Sequence, residues 1–99
     1  MKREVEWSSD ALADFGAAID HIAADNQQAA YLVATRILNT IDLLGDFQTG
    51  RQGRVKNTYE KLVQKTSYIV AYTISGEAVY IVRIIHGSRD WPEGEWPAE

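Results

Sequence analysis

The chain contains no cysteine and only two prolines, and each shortage removes a class of explanation. Without thiols there is no disulfide framework and no thiolate chemistry. The two histidines, His21 and His86, stand too far apart to read as a zinc set, so neither a metal nor any other cofactor is expected. Both prolines, Pro92 and Pro97, fall in the last eight residues, and each follows a tryptophan. Motifs that cradle phosphates or activate nucleophiles are missing too: there is no G-x-G-x-x-G, P-loop, G-x-S-x-G or H-E-x-x-H. Ser8, Ser9, Ser67, Ser75 and Ser88 are each explained by a cap, a turn or a strand end. No apolar run approaches the ~20 residues of a membrane span, and "MKREVEWSSD" has charges where a signal peptide has an apolar stretch. A soluble, cytoplasmic protein without a membrane partner is expected.

What is present suits one small domain. At 99 residues and 45% hydrophobic, the chain can bury one core and not two. The net charge of −4 hides a segregation. Residues 1–46 carry three bases against eight acids, residues 47–89 carry seven bases against two, and the last ten add four acids. A basic face can therefore coexist with an acidic total, suited either to an acidic partner or to guarding a sheet edge against aggregation.

Arg3, Val5 and Trp7 alternate with Lys2, Glu4 and Glu6, the period of a strand with one buried face. "SSD" then offers a helix cap and a first-turn acid. Leu12, Phe15, Ile19 and Ile22 predict an apolar helix stripe, with Asp14, Asp20 and His21 turned away from it. After "ADNQQ", Ala30, Val33, Ile37, Ile41 and Leu44 mark a second helix, widened by Tyr31, Leu38 and Leu43 and capped at Gly45. "DFQTGRQGRVKN" reads as a loop, and strands are expected at 58–64, 67–74 and 78–85, the last two joined through Ser75, Gly76 and Glu77. The order is β-α-α-β-β-β: an α+β fold with a helical hairpin packed on a small, mostly antiparallel sheet. We place the domain at residues 1–91 and an acidic tail containing tryptophan and proline at 92–99. Trp91 either folds back over the sheet or contacts a partner.

One constellation invites chemistry. A metal-independent ribonuclease needs a proton acceptor, a proton donor and cations for the developing phosphate charge, and His86, Arg83, Arg89, Lys56 and Lys61 are residues of those types. The alternative is structural: Arg83 turned outward from a strand, His86 closing it, and Arg89 paired with Asp90 or Glu93.

The segment "YIVAYTISGEAVYIVRIIHGSRDWP", with Tyr68 and Tyr72 on one strand and Arg83, His86 and Gly87 closing the next, resembles the RelE/ParE superfamily of bacterial toxins from type II toxin–antitoxin modules. RelE-like members cut mRNA on the ribosome, whereas ParE-like members poison DNA gyrase. The RelE-like pattern has an arginine after the first strand tyrosine and another tyrosine near the C-terminus; here Ile69 follows Tyr68 and no tyrosine follows Tyr80. The resemblance therefore implies a ParE-like, non-catalytic toxin of the kind tied to plasmid stabilization and growth inhibition, bound by a cognate antitoxin in a hetero-oligomer and directed at gyrase. On this reading Arg51, Arg54, Lys56, Arg83, His86, Arg89 and Trp91 form the surface for target or antitoxin, with direct nucleic-acid contact reserved for the ribonuclease alternative. A third reading is a non-toxic relative that only sequesters an antitoxin.

Overall fold

The computed structural model describes residues 3–87 together with Gly94 and Trp96. Its elements run β1 (Glu4–Trp7), α1 (Ser9–Ala23), α2 (Gln27–Asp46), β2 (Arg51–Gln52), β3 (Tyr59–Leu62), β4 (Tyr68–Ser75) and β5 (Ala78–His86). The sheet has the order β1-β5-β4-β3-β2, with β1 parallel to β5 and every other pairing antiparallel. The α+β class and the helical hairpin are as the sequence predicts, and the short strand β2 is an addition within the expected loop. The expected boundary between domain and tail lies outside the described residues.

Each helix starts where a side chain can take over a backbone bond. Ser8 accepts from the Ala11 N–H at 2.9 Å and Asn26 accepts from the Ala29 N–H at 3.0 Å, satisfying donors that have no intrahelical partner. The three residues between α1 and α2 leave the helices no path but antiparallel. Gly45 is not the cap: it is buried inside α2, its carbonyl accepts from the Arg3 N–H, and Phe47 in extended conformation ends the helix.

The core lies between the hairpin and one face of the sheet. Tyr72, Ile37, Leu44, Ile81, Val63, Val70 and Val79 are its fully buried side chains, with Val5, Trp7 and Phe15 packed around them. Paired residues share a face, so the register places Val5, Val79 and Ile74 on the helix side and Glu4, Glu6 and Tyr80 on the other. Ala11 and Ala18 carry the buried stripe of α1, whereas Leu12, expected in that stripe, is exposed, and Tyr31, Leu38 and Leu43 are exposed and do not widen the stripe of α2 as expected. Small residues face the sheet because they let the helix backbone approach it closely.

Tyr72 shows how the loop before β3 is anchored. Its hydroxyl accepts from the Gly50 N–H at 2.9 Å, and its ring stacks on Tyr59 with centroids 5.5 Å apart. Burial pushes its pKa above the usual 10.0, the Gly50 bond opposes that shift, and the Tyr59 charge adds to it. Gly76 takes φ of 58° in the β4–β5 turn, as a residue without Cβ can.

Candidate docking surface

Beyond Ile81, strand β1 no longer pairs with β5, and the start of α1 takes its place. The Ser8 N–H donates to the Ile81 carbonyl at 2.9 Å, and the Ser8 hydroxyl donates to the Val82 carbonyl at 2.7 Å. Asp14 accepts from the Ile84 N–H at 3.0 Å and grips Arg83 with both oxygens, at 2.7 Å from Nε and 3.1 Å from Nη2. The pair is nearly enclosed, with side-chain exposures of 14% for Arg83 and 7% for Asp14. At this point the register between β4 and β5 skips Val82, a local irregularity of the kind that bends a strand. Asp14, set off the apolar stripe in the sequence, is not left to solvent, and the alternative that turned Arg83 outward is corrected: the two meet across 69 residues of chain, a separation no local period reveals.

A second buried acid organises the other edge of the sheet. Glu60, 3% exposed, accepts from the Arg54 N–H at 2.8 Å, with Arg51 Nη2 at 3.5 Å and Arg54 Nε at 3.8 Å from its Oε1. The Arg51 side chain is largely in water, so its ion pair contributes little; the amide bond carries more of the order in this loop. The turn closes through Gly53, whose N–H donates to the Thr58 carbonyl at 2.8 Å, and Lys56 is exposed within it.

The candidate catalytic residues are dispersed across these elements. His86 ends β5 directly opposite Tyr68, ring edge to ring face with centroids 5.1 Å apart, and the next residue, Gly87, donates its N–H to the Ser67 carbonyl. Lys61 lies on β3 opposite Val70, so β4 separates it from His86 by two strand spacings, or ~10 Å. Arg51 and Arg54 gather on Glu60, and Arg83 is held by Asp14. Arg89 and Trp91 lie outside the described residues, as do the pairings of Arg89 with Asp90 or Glu93. Among the described residues no group of three His, Asp or Glu side chains could hold a metal ion, and no helix is long and apolar enough to cross a membrane.

Beside the hairpin, between α2 and β3, the surface opens into a groove. Its cavity of about 390 Å³ is lined by Leu43, Leu44, Phe47 and Leu62, with Arg36 and Lys61 adding positive charge. Strand β2 pairs only with Tyr59 and Glu60, so the outer edge of β3 at Lys61 and Leu62 borders this opening. The surplus of large apolar residues in α2 was the available signal: Leu43 and Phe47 exceed what one core stripe requires.

The chain is thus an α+β domain with an apolar, cation-rimmed groove beside its helical hairpin. A family model described as the ParE toxin of the type II toxin–antitoxin system parDE matches residues 5–91, and the chain belongs to that family. It is 31% identical over 93 residues to the toxin candidate Y4kP of Sinorhizobium fredii, covering 93% of this chain and 96% of that protein. Among solved structures it is similar to a chain of the chromosomal ParDE system from P. aeruginosa, with a TM-score of 0.77 at 19% identity over 86% of this chain and 96% of that one. A weaker likeness, with a TM-score of 0.45 at 22% identity, links 85% of this chain to 91% of a chain in the E. coli DinJ–YafQ toxin–antitoxin complex.

Proposed function

We propose that this protein is a ParE-like toxin that inhibits DNA gyrase by binding it and is neutralised in the cytoplasm by a cognate antitoxin. The observation that carries the reading is the commitment of Arg83: its guanidinium is held by both oxygens of Asp14 in a nearly enclosed pair. A cation needed for charge developing on a phosphate has to reach the substrate, and this one is turned to the helix. The wide separation of His86 from Lys61 points the same way.

The antitoxin on this reading lays an apolar segment with acidic flanks into the groove between α2 and β3. Leu43, Phe47 and Leu62 receive the apolar side chains, and Arg36 and Lys61 meet the acids. Arg51, Arg54 and Lys56 extend the positive surface along the β2 and β3 edge, and Arg89 and Trp91 are proposed contacts that follow β5.

One feature favours the ribonuclease alternative: the half-buried His86 lies edge-to-face beside Tyr68 where β5 ends. Induced expression separates the readings. If growth stops with plasmid supercoiling lost and mRNA intact, gyrase is the target. Cleaved mRNA with normal supercoiling makes His86 catalytic instead, and unimpaired growth at high soluble level makes the chain a sequestering relative.

A further inference from the structure

The outer seam of the helical hairpin is a second apolar surface, separate from the groove. Leu12 on α1 and Leu38 on α2 lie equally far from Asp25 at the hairpin's turn, so the antiparallel arms bring them to one level. They are 57% and 46% exposed, and Tyr31, further along the same side of α2, is 73% exposed. Gly16, one turn beyond Leu12, has nothing within 4 Å of where a Cβ would stand, so a neighbouring helix could approach closely there. The position on α2 that groups Tyr31 with Leu38 is turned away from Leu43 and Phe47, which line the groove.

Among the described residues, the lysine- and arginine-free stretch 4–35 covers α1, the hairpin turn and the start of α2, and Asp20 and Asp25 are exposed toward the turn. Arg36 is the first cation on either helix, and it lines the groove instead. An acid-rimmed apolar seam selects a cationic partner and repels a second copy of itself, whereas the cation-rimmed groove selects an acidic one. The fold thus carries two docking surfaces of opposite preference.

We infer that the outer seam binds a cationic amphipathic helix of the target protein, with Leu12, Tyr31 and Leu38 as its apolar anchors and the hairpin aspartates meeting the partner's lysines and arginines. This inference rests on the proposed gyrase target. Its test is equilibrium binding of the full chain to purified gyrase at several salt concentrations, comparing wild type, Leu12→Lys/Leu38→Lys, Asp20→Lys/Asp25→Lys and a Ser75→Lys control, which adds a cation at the β4–β5 turn. All positions are exposed, and thermal melts verify folding. We expect the leucine pair variant to lose at least tenfold in affinity, the aspartate pair variant several-fold with a weaker salt dependence, and Ser75→Lys to stay within twofold. Wild-type binding with the leucine pair variant also within twofold would overturn the seam while leaving the target intact. Absence of wild-type binding would overturn the target reading, and the seam's role with it.

Discussion

Replacing Asp14 by alanine removes three hydrogen bonds at once: two from the Arg83 guanidinium and one from the Ile84 N–H. Breaking one side of a buried ion pair costs ~3–5 kcal/mol, because the remaining charge loses its compensation. Here 14% of the Arg83 side chain is exposed, so water recovers part of that, and we place the loss at about 3 kcal/mol, including ~1–3 kcal/mol for an amide left without its acceptor. In a domain of this size such a loss lowers Tm by about 12–24 °C. Urea unfolding followed by circular dichroism measures it directly, provided m is unchanged. Asp14→Asn keeps an acceptor for Ile84 and should lose roughly half as much. The combined Asp14→Leu/Arg83→Met should recover only the ion-pair part of the loss, since an apolar pair avoids the desolvation of both charges but leaves the Ile84 N–H without its acceptor. A loss below about 0.5 kcal/mol for Asp14→Ala is what an exposed, water-screened pair would give, and it would refute this account of how α1 is fastened to β5.

Other consequences follow from the same packing. Gly50→Ala would place a Cβ 2.6 Å from the Tyr72 hydroxyl oxygen and 2.7 Å from the Glu60 carbonyl, so it should destabilise by ~1–3 kcal/mol in the same urea assay. Tyr72 has a raised folded-state pKa; the unfolded tyrosine ionises first, the folded state then binds more protons, and stability should fall as pH rises above about 10. In Tyr72→Phe that alkaline decline should shrink, which pH-dependent melting would show. Phe47→Asp puts a carboxylate into the groove between α2 and β3, and on the proposed reading it should weaken antitoxin binding by at least tenfold while leaving Tm within a few degrees, because Phe47 is largely exposed.

Most of the architecture was legible because it is local. Ser8 and Asn26 announce their helices within four residues, the β-branched runs of β4 and β5 announce theirs, and Gly76 marks the turn between them. The errors have physical causes. Leu12, Tyr31, Leu38 and Leu43 obey a helical period as well as core residues do, but a hairpin covering one face of a sheet buries only a narrow stripe, and Ala11 and Ala18 fill it in α1. Strand β2 escaped notice because two residues between glycines have no period. For the candidate surface, Glu60 was counted only as a charge, yet it is the buried acid on which Arg51 and Arg54 gather. The fate of Arg83 could not be read, since its partner is an aspartate on another element whose local pattern places it off the apolar stripe. The groove was half visible, as an excess of large apolar residues in α2.

Whether the protein acts by binding gyrase is decided by titrating the purified chain into a plasmid supercoiling reaction driven by purified gyrase. The expected result is progressive loss of supercoiling, reversed when the antitoxin is added at equal concentration. Supercoiling that continues unchanged at a large molar excess of folded protein would contradict it.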